Sequence, residues 1–166
     1  KTVVDMNSGR LVSHMPVRGL ENTVVEHPHI NPLFETLPVR YMFMSIGSTT
    51  KVSSPPLGYQ RVDLRTGALQ QWYAPEHTFC EELVVVPKKR DSVGYVGTAV
   101  SPSVEGNGDG ARIMSEESQR HTQGPEDAVW LVASMFDAQR NRSCVAILDG
   151  ERVDGGPVAT VWLEHA

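Results

Sequence analysis

Glu26 and Glu81 stand out as groups able to do chemistry, because each is a carboxylate set in an apolar run. Glu26 follows Thr23-Val24-Val25, and Glu81 precedes Leu83-Val84-Val85-Val86. A carboxylate in such company is either on an exposed strand face or buried against a partner that satisfies it. His27 and His29 flank Pro28, a spacing that could chelate a metal from one strand. Pro28 breaks the alternation such a chelate needs, so surface or core-edge histidines are expected. His14, His77 and His121 lie in turn-like or polar contexts and read as solvated. Asn107 and Asp109 among glycines suggest a calcium loop, but the required spread of further carboxylates is missing. No Gly-x-Ser-x-Gly elbow occurs, and Cys80 and Cys144 sit in strand-like runs without an activating helix terminus. The Gly-x-Gly-x-Gly at 106–110 lacks the Lys-Ser/Thr of a phosphate loop. No catalytic residue is assigned within the chain.

The elements that must position these groups are strands. Strand signals fall at 2–6, 10–13, 22–26, 39–46, 58–64, 68–73, 79–86, 128–136, 142–148 and 157–163. No stretch carries convincing helical spacing of apolar residues. One turn is written twice, 58 residues apart: Val4-Asp5-Met6-Asn7-Ser8-Gly9 returns as Val62-Asp63-Leu64-Arg65-Thr66-Gly67. Each copy joins two strand-like runs through a polar reversal whose Gly supplies positive φ. A weaker third copy begins at Ile147-Leu148-Asp149-Gly150. Repetition at roughly 50 residues is the spacing of propeller blades, each a small antiparallel sheet that cannot bury its faces alone. The expected fold is all-β: about three consecutive blades of a larger propeller.

Residues 91–125 break the period. Val104-Glu105-Gly106-Asn107-Gly108-Asp109-Gly110 and Ser115-Glu116-Glu117-Ser118-Gln119-Arg120 bury too little apolar surface to offset their ordering entropy. They read as a disordered surface insertion. Both ends read as cut within strands, at Thr2-Val3-Val4 and Thr160-Val161-Trp162-Leu163. The net charge of −5 gives no basic footprint for nucleic acid or anionic lipid. Two cysteines are too few for a disulfide framework, and both are expected to be reduced strand residues.

Several segments, in order, resemble the carotenoid cleavage oxygenases, a family that includes retinal-forming oxygenases and the retinoid isomerase of the eye. Glu26-His27-Pro28-His29-Ile30-Asn31-Pro32 is similar to that family's Glu-Phe-Pro-x-Ile-Asn-Pro. Val39-Arg40-Tyr41-Met42-Phe43 resembles its Tyr-Arg-Tyr-x-Tyr strand. Arg61-Val62-Asp63-Leu64-Arg65-Thr66-Gly67 resembles its Lys-Val-Asp-Leu-x-Thr-Gly hairpin, with Trp72 following. Cys80-Glu81-Glu82-Leu83-Val84-Val85-Val86-Pro87 is similar to Gly-Glu-Pro-x-Phe-Val-Pro. Glu126-Asp127 and Ile147-Leu148-Asp149 echo two further family patterns. The resemblance spans nearly the whole chain and about the last third of a family member, which implies a C-terminal portion of a seven-bladed propeller.

That resemblance implies a parent enzyme holding Fe(II) on its axis with four histidines, three upstream of Lys1 and one beyond Ala166. His165 falls in the lead-in to the last ligand's turn, so no iron ligand is assigned in this chain, and none is expected to be held by it alone. By motif, Glu26 and Glu81 are implied to accept the outer ring N–H of iron-ligating histidines, fixing their tautomer. Glu82, where the family has Pro, is taken as an outward-facing neighbour. The implied partners are an apolar polyene, O2 and the remaining blades, with peripheral membrane contact compatible with a lipid-soluble substrate. The alternative is a non-catalytic propeller that serves as an interaction scaffold.

Overall fold

A computed structural model describes residues 2–17, 19–21, 23–47, 55–89 and 124–164. All but Gly124 and Pro125 of the expected insertion lie outside the described residues, as do His121 and His165. The described residues form ten strands and two short 3-10 turns. The strands are β1 (Thr2–Asp5), β2 (Arg10–His14), β3 (Val25–His29), β4 (Tyr41–Ile46), β5 (Gly58–Asp63), β6 (Leu69–Tyr73), β7 (Thr78–Pro87), β8 (Val129–Asp137), β9 (Arg142–Asp149) and β10 (Pro157–Trp162). They make three antiparallel sheets: the pair β1-β2, then β3-β4-β5-β6, then β10-β9-β8-β7. This is the pattern of two four-stranded blades preceded by a strand pair of a third. Among the described residues, no helix is long and apolar enough to cross a membrane.

The repeated turn folds the same way twice. Gly9 N–H donates to Asp5 O and Gly67 N–H to Asp63 O, each at 2.7 Å, with φ of 67° and 76° at the glycines. In both copies the Asp carboxylate accepts the N–H two residues on, an Asx turn that holds the reversal. The β9–β10 connection occupies the third position of the period but is longer, with a 3-10 turn at Val153–Gly155. The nearer geometric copy joins β8 to β9, where Asp137 Oδ1 accepts from Gln139 and Arg140 N–H and Asn141 takes the positive φ of 49°.

The main core lies between the two four-stranded sheets. Phe43 and Tyr59 of the first sheet pack on Cys80, Leu83, Leu131, Cys144 and their buried neighbours in the second. A smaller cluster of Met44, Ile46 and Val62 covers the first sheet's other face, against Val17 and Leu20. The sheets converge at one edge, where β7 packs against β3, β4 and β5. β6 instead meets the Val153–Gly155 turn. Convergent edges are where propeller blades surround their central channel, so β3 and β7 are the axis-side strands. Among the described residues, apolar side chains are left exposed at Val84, Val86 and Trp130 on one side and at Val3, Val4, Leu11 and Val12 at the other end.

Candidate functional site

Both axis-side strands carry a bulge, and the two candidate glutamates are at the bulges. On β3, Glu26 pairs with Ser45 and His29 with Phe43. Three steps along β3 thus match two along β4. One extra residue restores parity, so Glu26 and His29 share the face of Ser45 and Phe43, which is the face turned to β7. His27 adopts a φ of 52° inside this bulge. Its Nδ1 is 3.0 Å from Ser45 Oγ, and that hydroxyl donates to Glu26 O at 3.1 Å. Since Ser45 has one proton to give, His27 is the donor on Nδ1. Pro28 follows within β3, which is an outer strand of its sheet, and a bulged edge is where Pro is tolerated. That is why β3 runs to His29 and not to Glu26.

The β7 bulge has the same parity. Cys80 pairs with Met135 and Leu83 with Ala133, which leaves Glu81 and Glu82 together opposite Ser134. Cys80 and Leu83 therefore both point into the core, each fully buried. A bulge leaves backbone groups without ladder partners, and Tyr59 takes up one of them. Its buried phenol donates to Glu81 O at 3.0 Å, from β5 of the other sheet. Burial first of all raises the Tyr59 phenol above its ordinary pKa, and burial likewise pushes the Cys80 thiol up to about 12. Across the sheets, His29 Nε2 is 3.0 Å from Glu82 Oε1.

Glu26 and Glu81 are both exposed, and neither carboxylate is hydrogen-bonded or ion-paired among the described residues. This differs from burial against an internal partner. The two acids present open acceptors beside matched bulges on the axis-side strands. Among the described residues, no group of three or more His, Cys, Asp or Glu could hold a metal. Glu82 is exposed, as its neighbour role implied, yet it also reaches across to His29. His27 and His29 are half-buried at the core edge. Cys80 and Cys144 are free and buried, each paired in register with Met135 from opposite sides. His14 and His77 are exposed.

A second cluster joins the sheets near the loops. Glu126 Oε1 accepts from the backbone N–H of Arg40 at 2.8 Å and of Tyr41 at 2.6 Å. Asn31 Nδ2 donates to Glu126 O at 3.0 Å. Arg61 donates to Asp127 at 2.5 Å and to Gly150 O at 3.2 Å. Arg40 and Arg61 both lie against the Tyr41 ring, 4.8 and 4.6 Å from its centre. Arg40 also hydrogen-bonds Asp63 Oδ2, and that bond holds the Asp63 carboxyl well below the usual carboxylate range. A cavity of about 710 Å3 opens here, bounded by residues 38–41, 64–65 and 124–127 together with Phe34. Neither Glu26 nor Glu81 lines it. The cluster is a latch, with opposite charges matched in pairs.

Sequence reasoning singled out Glu26 and Glu81, with Glu82 as an outward-facing neighbour and His29 at the surface or core edge, but gave no role to Tyr59 or the latch. Glu126-Asp127 was visible only as a motif echo. No local pattern announces that Tyr59 will meet a carbonyl 22 residues on.

The sequence model of the family described as RPE65, retinal pigment epithelial membrane protein, matches residues 1–166. No curated protein matches the chain. Among solved structures, cobalt-substituted Synechocystis apocarotenoid oxygenase is similar with a TM-score of 0.69 at 20% identity, over 99% of this chain and 27% of that one. A chimera of that oxygenase with RPE65 gives 0.68 at 18% identity, over 99% of this chain and 27% of the chimera. At such identities the likeness is one of fold: these sheets match part of a propeller. The chain spans 27% of the length of those structures.

Proposed function

The chain belongs to the retinal pigment epithelial membrane protein family, and on that premise we propose that it is the C-terminal part of an iron(II) oxygenase that cleaves a carotenoid or apocarotenoid. One carbon–carbon double bond and one O2 would give two carbonyl products, with both oxygen atoms incorporated. The observation that carries the reading is the pair of unpartnered carboxylates, Glu26 and Glu81, beside matched bulges on the two strands nearest the axis.

When bound, a ferrous ion in a shell of neutral imidazoles supplies binding and activation of O2. This chain's donor set suits the surroundings of such an ion and not its coordination: two acceptors, with no ligand cluster among the described residues. Glu26 and Glu81 would each accept the free ring N–H of a histidine brought by other blades. That bond fixes the imidazole tautomer, aims the ring and raises its basicity. Neither glutamate takes a proton from substrate. Tyr59 holds the backbone under Glu81, and Ser45 with His27 holds that of Glu26. The apolar faces at Val84, Val86 and Trp130 would be covered by the following blade.

The test is metal content. In the intact protein, Glu81→Gln is expected to weaken iron retention about ten- to a hundred-fold. Unchanged iron content and turnover would remove Glu81 from this role. The isolated chain is expected to hold no stoichiometric iron and to cleave no carotenoid. One tightly held ferrous ion per isolated molecule would overturn the reading.

A further inference from the structure

We propose that His29 is a positioning residue for Glu81, acting through Glu82; the inference rests on the iron reading above. The extra residue in β3 is what brings His29 onto the face turned to β7. A regular ladder through the same residues would place His29, three steps from Glu26, on the opposite face, away from Glu82. The extra residue in β7 leaves Glu81 and Glu82 as consecutive residues opposite one partner. Such a pair is the least constrained point of a strand, because the regular ladder is interrupted there.

Two tethers from separate strands restrain it. Tyr59 of β5 holds the carbonyl of Glu81 at 3.0 Å, and His29 of β3 holds the carboxylate of Glu82 at 3.0 Å. Restraining Glu82 restrains Glu81, since their Cα atoms are joined by one peptide. The His29–Glu82 bond is partly exposed, with side chains 33% and 59% accessible. A pair of that kind adds little to stability, so its effect falls on geometry.

The experiment uses the intact protein loaded with Fe(II) or Co(II). It compares His29→Ala, Glu82→Ala, the double variant, His29→Gln and Glu82→Gln. His29→Gln keeps a donor near the position of Nε2, and Glu82→Gln keeps the acceptor while removing the charge. Each Ala variant is expected to release iron to a chelator at least threefold faster, short of the ten- to hundred-fold loss of a direct outer partner. The double variant should be no worse than either single, and the Gln variants should stay near wild type. The visible absorption of the Co(II) form should shift in the Ala variants alone. Additive Ala effects, Gln variants that behave like Ala, or an unshifted Co(II) spectrum would overturn the proposal. A wild-type protein that holds no iron would overturn the function itself, and this inference with it.

Discussion

Replacing Tyr59 by Phe tests whether the β7 bulge depends on a single phenol. The ring is fully buried and lies parallel to Trp72, with centres 6.3 Å apart and planes 7° apart. Phe keeps that packing, so no cavity term enters. What is lost is the hydrogen bond of 3.0 Å to Glu81 O, together with a longer one of 3.4 Å to Ser134 O. A net hydrogen bond contributes about 1 kcal/mol, and a carbonyl left without a partner costs about 1–3 kcal/mol. The expected loss is therefore about 2 kcal/mol, read from the urea midpoint of the intact protein with an unchanged slope. Tyr59→Ala adds the missing ring and should cost about 3–5 kcal/mol. Because the phenol sits in the core with its pKa raised by burial, it should ionise only on unfolding, visible in an alkaline ultraviolet titration. A loss below about 0.5 kcal/mol for Tyr59→Phe, the range of neutral surface changes, would refute the reasoning. The Glu81 carbonyl would then be satisfied without Tyr59.

The latch makes acid sensitive to one side chain: Asp63 is depressed in the folded chain by Arg40, so its contribution is present above the ordinary value of about 3.9 and is lost as pH falls below it. Asp63→Asn should lower stability at neutral pH and flatten its fall between about pH 5 and 2, measured by denaturation at each pH. The Cys80 thiol, buried and pushed up to about 12, should resist alkylation at mildly alkaline pH and react only in denaturant; rapid labelling of the native protein would contradict its placement. Gly156 has a φ of 73°, and a Cβ there would come 2.6 Å from Trp72 Nε1. Gly156→Ala should cost more than about 1 kcal/mol and shift tryptophan fluorescence, and an unaltered spectrum would place Trp72 elsewhere.

How much was legible follows from the range of each signal. Strands were legible because alternation is local, and nine of the ten appear within two residues of their expected bounds. β3 begins and ends three residues later than the expected 22–26, and it runs through Pro28 because a bulged outer strand admits proline. The duplicated Asp-to-Gly turn gave the blade period because its cause lies within five residues. Glu26 and Glu81 were marked by motif, and their flanks left open whether they would be exposed or buried; in this chain both are exposed. Apolar flanks predict burial only when both strand faces are covered, and at an axis-side edge within this chain they are not. The tethers were illegible for a different reason. His29 and Glu82 are 53 residues apart, and Arg40 and Glu126 are 86 apart. Such meetings are set by how two sheets converge, which no window of sequence contains.

The two bulges have to be understood together. If β7 ran as a regular ladder through the same residues, its pairing beyond Cys80 would slip by one and exchange Leu83 and Val85 for Val84 and Val86 at the core. Val is acceptable at either face, so hydrophobic patterning alone does not forbid the slip. What forbids it is Cys80, which must stay in the core on one side of the bulge while Leu83 stays in it on the other. On β3, a regular ladder through the same residues would turn His29 away from Glu82. The extra residues thus do two things at once. The one in β7 keeps that strand's inward face apolar, the one in β3 turns His29 toward Glu82, and the two are the only interruptions in the axis-side ladders among the described residues. Glu26 and Glu81 are found at those interruptions. A carboxylate on an uninterrupted strand must point squarely to one face or the other; beside a bulge it can be turned along the edge, toward whatever occupies the axis.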